Sequence, residues 1–142
     1  MIEILTIAAL DWRNGHEFAL QAMQILQDRG QDFQYKLVGD GDFLEATAFA
    51  RHELGLQERV HIIRSASEKE LDDLLRQADV FLLAAVSADG RHALVHAVEY
   101  DLPVVVTDIP QLLVDIPPDA RYWVVSRRDP HAMADCLQIV FF

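Results

Sequence analysis

The chain has 142 residues, of which 51% are hydrophobic and 25% charged, and it carries a net charge of -11 at pH 7. This composition is that of one ordinary globular domain, and the negative charge excludes nucleic acid or an anionic membrane as a main partner. No apolar run approaches the roughly 20 residues of a membrane span, and the amino terminus lacks the basic start of a signal peptide. The single cysteine excludes an intrachain disulfide, so we expect a cytoplasmic protein.

Strand and helix patterns alternate along the chain. Short apolar segments predict six strands, at 2–8, 33–42, 60–63, 80–86, 102–108 and 121–125, of which the second runs into a glycine turn. Apolar residues at helical spacing predict helices between and after them, at 16–29, 43–54, 67–78, within 87–101 and at 130–142. Prolines in the segment between the last two strands allow only a short helix there.

The alternation predicts a Rossmann-type α/β fold. The strands at 80–86 and 102–108 are nearly continuous apolar runs, which is typical of parallel strands covered on both faces. Right-handed crossovers then favour a parallel sheet of about six strands in the order 3-2-1-4-5-6, with helices on both faces. We expect residues 1–142 to form a single domain of this kind.

Several stretches of the chain resemble one family. The segments that carry the resemblance are "ILTIAALDWRNGHEFALQAMQIL", "YKLVGDGD", "LLRQADVFLLAAVSADG", "LPVVVTD" and "RDPHAMADCL". They are similar to the carboxyl-terminal domain of GT-B glycosyltransferases of the retaining family 4 type. The resemblance implies one half of a GT-B fold that binds a nucleotide-sugar donor and no other cofactor. It also implies a separate amino-terminal domain for the acceptor, which this chain does not contain.

The resemblance also shows where the chain departs from the family. The family has Gly-Arg after its first strand and Lys-Gly shortly afterwards, and both basic side chains reach the donor phosphates. This chain has Ala8 and Ala9 at the first pair and Asn14 and Gly15 at the second. Two family glutamates, one near the sugar and one on the ribose, correspond to Ala88 and His96. A bound diphosphate would therefore lose its charge-assisted contacts.

Other residues at the expected ligand edge remain available for binding. The amides at the amino terminus of the 16–29 helix suit an anion, and two arginines offer substitute positive charge. The Gly-Asp-Gly turn after the second strand is kept, although a tight turn alone explains it equally well. The predicted binding residues are Arg13, Asn14, Gly15, Gly39, Asp40, Gly41, Asp89, Gly90, Arg91 and His96.

His92 and His96 form a candidate metal site. They lie four residues apart on the helix predicted within 87–101, so they share one face, and such a pair can chelate zinc. A third ligand is not apparent, and His16 is the only other histidine that the fold would bring to this edge. Two polar side chains at the rim of a cleft are the favoured alternative.

We therefore interpret the chain as a degenerate nucleotide-sugar-binding domain that does not catalyse transfer by itself. The competing hypothesis is a non-enzymatic scaffold or interaction module, natural or engineered, that self-associates or contacts a partner. A metal site at His92 and His96 is a third hypothesis. The uncapped apolar end of the chain is also consistent with a fragment of a longer protein.

Overall fold

The computed structural model describes all residues from 1 to 142. It contains six strands, six α-helices and two 3-10 helices. The strands are β1 (Ile2–Ile7), β2 (Phe33–Val38), β3 (Val60–Ile63), β4 (Val80–Leu83), β5 (Val104–Thr107) and β6 (Tyr122–Val125). The helices are α1 (His16–Asp28), α2 (Leu44–Glu53), α3 (Glu68–Gln77), α4 (Leu94–Glu99), α5 (Pro110–Leu113) and α6 (Pro130–Phe141), and the 3-10 helices are Trp12–Asn14 and Ala88–Ala93. None of the helices combines the length and the apolar character that a membrane span needs.

All six strands form one parallel sheet. Its order is β3-β2-β1-β4-β5-β6, which confirms the predicted Rossmann-type α/β fold. The central strand β1 pairs with β2 along its whole length, from Ile2 opposite Phe33 to Ile7 opposite Val38. The order in which strands are added reverses between β1 and β4, so the carboxyl ends of β1 and its neighbours surround the topological switch point where such sheets bind ligands.

Alternating side chains divide the apolar residues between two cores, one on each face of the sheet. On β4, Leu82 joins the core that α1 and α6 cover, whereas Phe81 and Leu83 join the core under α3, α4 and α5. This alternation follows from the two-residue period of a strand. It explains why β4 reads as a continuous apolar run, since both of its faces are buried.

Two helices begin at side-chain caps. The Ser67 hydroxyl accepts from the Glu70 amide at 3.1 Å, and the Glu70 carboxylate accepts from the Ser67 amide at 3.4 Å, which is a capping box. The Asp129 carboxylate accepts from the Ala132 amide at 3.0 Å at the start of α6. These contacts fix where α3 and α6 begin.

The segment after β4 differs from the prediction. The strand ends at Leu83 rather than at residue 86, because the chain turns away and the Val86 amide donates to the Arg13 carbonyl oxygen. The single helix predicted within 87–101 is a 3-10 helix followed by the short α4. His92 therefore lies in the 3-10 helix and His96 in α4, so the prediction of one continuous helix through both was wrong.

Two glycines let backbone segments come close together at the carboxyl edge of the sheet. A β-carbon at Gly15 would overlap the Ala84 carbonyl oxygen, and one at Gly39 would overlap the Ala8 carbonyl oxygen. Gly15 also has a φ of 64°, a left-handed conformation that costs other residues about 1–2 kcal/mol. The carboxyl edge of the sheet therefore depends on glycine at both positions.

Replacement of Gly15 by Ala should destabilise the protein far more than replacement of Gly30. Gly30 has a similar φ of 73° but open space around it, so Gly30→Ala should lower the free energy of unfolding by about 1–2 kcal/mol. Gly15→Ala adds a backbone clash, and we expect a loss of about 4 kcal/mol or more. Urea unfolding measures both, and equal losses would contradict the close approach of Gly15 to Ala84.

Candidate functional site

An open cavity of about 700 Å³ lies at the carboxyl edge of the sheet, above the ends of β1, β2 and β3. Its volume is within the usual range for small-molecule sites. Small residues form part of its lining, including Ala8 and Ala9 after β1 and Gly39 after β2. Because these residues have short or absent side chains, the space above the strand ends is not filled.

Most of the predicted site residues line this cavity. They come from three separate segments: the loop before α1, the turn after β2 and the 3-10 helix after β4 with α4. The predicted residues that line it are Arg13, Asn14, Gly39, Asp40, Asp89, Gly90, His92 and His96.

Three predicted residues lie outside the cavity. Gly15 and Gly41 pack against the backbone, at the carbonyl oxygens of Ala84 and Leu10 respectively, so their conformation shapes the loops around the cavity. Arg91 is exposed and lines a neighbouring depression beside α4. Arg91 therefore does not supply positive charge to the main cavity.

Asn14 occupies the space below the 3-10 helix after β4. It is 7% exposed, and its Nδ2 donates to the Ala9 carbonyl oxygen at 2.8 Å. A β-carbon at Gly90 would lie 3.2 Å from the Asn14 Oδ1 and 2.6 Å from the Ala85 β-carbon. The Ala85 contact thus favours glycine at position 90, which also leaves space for Asn14. The Asn14 Oδ1 is a buried acceptor without a partner.

Both arginines of the cavity are already paired with carboxylates. The Arg13 guanidinium lies 3.6 Å from the Asp11 carboxylate and 3.3 Å from that of Asp89. The Arg64 guanidinium lies 3.2 Å from the Asp40 carboxylate. Three carboxylates therefore face two guanidinium groups, and the cavity offers no arginine that is free of an acidic neighbour.

The sequence analysis does not single out Arg64, which the structure brings into the cavity. Arg64 follows β3 directly, and Asp40 lies in the turn just after β2. The rule that sites gather at the carboxyl ends of parallel strands would have identified it. Its partner Asp40 also accepts a hydrogen bond from the Gly41 amide. The Gly41 bond is the larger cause, and the Arg64 bond the second cause, that holds the pKa of the Asp40 carboxyl below its ordinary value.

The two histidines of the candidate metal site line the same cavity. No group of three or more His, Cys, Asp or Glu side chains is arranged to hold a metal ion. His16 does not complete the pair, because it is buried and its Nε2 donates to the Ala9 carbonyl oxygen at 2.7 Å. Metal binding by His92 and His96 therefore stays a prediction with two ligands only.

The titration of Asp40 should report the hydrogen bonds at this turn. We expect its carboxyl pKa, followed by NMR, to lie below the ordinary value of an aspartate, and Arg64→Gln to raise this pKa only in part because the Gly41 amide remains. A depressed pKa means that Asp40 stabilises the fold above its unfolded pKa and that this contribution is lost as pH falls through the folded pKa.

A matched control for this titration is Arg29→Gln, because Arg29 pairs with Asp135 at 2.7 Å at the far end of α1. This variant should leave the pKa of Asp40 unchanged. An Asp40 pKa that does not respond to Arg64→Gln would contradict the ion pair.

Comparisons with known proteins agree with this architecture. Residues 2–141 match the family model described as glycosyl transferases group 1. The chain is 30% identical over 145 residues to the amylovoran biosynthesis glycosyltransferase AmsK of Erwinia amylovora, covering 96% of this chain and 35% of that protein. It has the same identity and coverage with the putative colanic acid biosynthesis glycosyltransferase WcaL of Escherichia coli. The chain thus spans about a third of the length of these relatives.

Solved structures show the same fold. A glycosyltransferase from Rickettsia africae superposes with a TM-score of 0.81 at 19% identity, over 99% of this chain and 38% of that one. Anabaena Alr3699/HepE, solved in complex with UDP and glucose, superposes with a TM-score of 0.82 at 16% identity, over 97% of this chain and 38% of that one. The sheet order and the family match agree, and this chain belongs to the group 1 family of glycosyl transferases.

Proposed function

We propose that this chain is the nucleotide-sugar-binding part of a group 1 glycosyltransferase, that it binds such a donor weakly, and that it does not transfer sugar by itself. The observation that carries the proposal is the open cavity of about 700 Å³ at the switch point of the sheet, lined by two arginines that are both held by carboxylates. The size of the cavity supports binding of a ligand, and the carboxylates that hold its arginines support low affinity for a diphosphate.

An open cavity favours a binding function over a scaffold. A scaffold has no need to keep small residues at the strand ends, and bulky side chains there would fill the space and add buried apolar area. Ala8 and Ala9 instead leave it open. A structural relative with this fold was solved with UDP and glucose, which supports a nucleotide-sugar as the ligand class.

The charges around the cavity support weak binding of a diphosphate. A diphosphate that contacts Arg13 or Arg64 must compete with the carboxylates of Asp11, Asp40 and Asp89. The positions that carry the family's basic side chains are Ala9 and Asn14, and neither provides charge. Hydrogen bonds to charged groups contribute about 1.5–3 kcal/mol each, so the absence of two such contacts weakens binding by orders of magnitude.

Two features support the absence of independent transfer activity. The chain covers 35% of the length of its curated relatives, and the remainder of such a protein would supply the acceptor site. The residues that correspond to the family glutamates also lack carboxylates. Ala88 packs against the core under α4, and His96 lines the cavity with an imidazole.

An NMR titration with UDP-glucose tests the proposed binding. We expect saturable shifts at the amides of Gly39 and Gly90 with a dissociation constant near 1 mM, about -4 kcal/mol. Arg64→Ala should weaken binding about tenfold, because a charge-assisted contact is lost. Arg29→Ala, which removes the same charge at the far end of α1, should leave the affinity unchanged.

The same samples test the absence of activity and the scaffold hypothesis. Glucose release from UDP-glucose should not exceed the rate in buffer. Turnover by the isolated chain would contradict the proposed loss of catalysis. If no amide signal shifts at about 10 mM UDP-glucose, ten times the expected dissociation constant, donor binding is rejected and the scaffold hypothesis is favoured.

A further inference from the structure

Three of the segments that line the main cavity each carry a carboxylate. Asp11 lies in the loop before α1, Asp40 in the turn after β2 and Asp89 in the 3-10 helix after β4. Because β2 and β4 flank β1 in the sheet, Asp40 and Asp89 lie on opposite sides of the space above β1. A ligand in this space therefore has carboxylates on both sides of it.

The basic side chains of the cavity can neutralise a diphosphate but no further anionic group. Arg13 and Arg64 are the only arginines that line the cavity, and no lysine does. A diphosphate that joins a nucleoside to a sugar carries a negative charge on each phosphate, and these charges would engage the guanidinium groups. The carboxylates would then lose their present partners, so the bound state has an excess of negative charge around the sugar.

Backbone amides at the same edge do not offer an alternative anion site. The Gly39 amide donates to the Ile63 carbonyl oxygen at 2.9 Å, and the Gly90 amide donates to the Ser87 carbonyl oxygen at 3.2 Å. Free peptide N–H groups are the usual means of holding an anion without a basic side chain. Because these two amides are already used, an anionic group on the sugar would have neither donor available.

Asp89 is the carboxylate with the fewest partners. Its side chain is 70% exposed, and its one ion-pair partner is the Arg13 guanidinium at 3.3 Å. The Asp40 carboxylate also accepts from the Gly41 amide at 2.8 Å, and the Asp11 carboxylate accepts from the Arg13 amide at 2.9 Å. If Arg13 turns toward a diphosphate, Asp89 keeps its charge without a counter-charge.

We propose that the main cavity binds nucleotide-sugars whose sugar is uncharged and rejects those whose sugar is a uronic acid, and that Asp89 contributes most to this selectivity. The proposal rests on the proposed function of the cavity. A uronic acid carries a carboxylate where the corresponding hexose carries a hydroxymethyl group of similar size. Charge therefore distinguishes the two ligands more than shape does, and like charges in a partly enclosed site repel.

Three donors with the same nucleotide test the role of charge. UDP-glucose, UDP-glucuronate and UDP-xylose are titrated without divalent cations at pH 8, where ordinary imidazoles are neutral, and the amide signals of Gly39 and Gly90 are followed by NMR. UDP-glucuronate should bind about tenfold more weakly than UDP-glucose. UDP-xylose lacks both the carboxylate and the hydroxymethyl group, and it should bind within about threefold of UDP-glucose.

A matched pair of substitutions tests the role of Asp89. Asp89→Asn and Asp135→Asn each remove one carboxylate that is paired with an arginine, but Asp135 does not line the cavity. Both side chains are exposed, so neither substitution should unfold the protein. Asp89→Asn should reduce the discrimination against UDP-glucuronate from about tenfold to about threefold, and Asp135→Asn should leave it unchanged.

The possible failures of this proposal and of the proposed function differ. Equal binding of UDP-glucuronate and UDP-glucose would overturn the selectivity and leave the proposed function intact. Equally weak binding of UDP-xylose and UDP-glucuronate would also overturn it, because loss of the hydroxymethyl group would then explain the discrimination. The same discrimination in the Asp89→Asn and Asp135→Asn variants would contradict the role of Asp89. If no donor binds at about 10 mM, the proposed function fails and the selectivity fails with it.

Discussion

The close approach of Gly15 to the Ala84 carbonyl oxygen fixes how the end of β4 meets the beginning of α1. Gly39 makes a similar approach to the Ala8 carbonyl oxygen, and this contact joins the ends of β1 and β2. Neither contact leaves space for a β-carbon. Because the backbones touch directly, the strand ends are held together without bulky side chains, and the space above them stays open.

The open space of the main cavity favours binding of a nucleotide-sugar donor, whereas the carboxylates around it oppose that binding. The cavity is large enough for a nucleotide-sugar, but its guanidinium groups are held by Asp11, Asp40 and Asp89. Around the main cavity the carboxylates outnumber the arginines, and the net charge of the whole chain is -11. A diphosphate must therefore displace existing ion pairs, which is why we infer low affinity rather than loss of the cavity itself.

The strand order could be predicted from the sequence because each strand is a separate apolar run, and because α1, α2, α3 and α6 each have a side-chain cap or a glycine just after their end. The end of β4 could not be predicted, because the Val86 amide leaves the sheet for the Arg13 carbonyl oxygen, a contact between distant segments. The same turn produced the 3-10 helix that carries His92. Long-range backbone contacts of this kind leave no local pattern.

The sequence predicted many of the residues that line the main cavity, but not the charges around it. Glycines and acidic residues after β2 and β4 indicated the edge of the sheet where this cavity lies, since all parallel strands end there. Arg91 lies beside α4 instead, and Arg64 takes part in its place. Which arginine faces the cavity depends on the rotation of the 3-10 helix and on the Asp40 carboxylate that holds Arg64. Neither can be inferred from spacing along the chain.

The most direct test of this account is a crystal structure of the protein soaked with UDP-glucose at concentrations well above 1 mM, the expected dissociation constant. The account predicts nucleotide density in the main cavity beside Gly39 and Gly90, with Arg13 or Arg64 turned from its carboxylate partner toward the diphosphate. An empty cavity at saturating ligand, or a nucleotide bound only elsewhere on the surface, would contradict it.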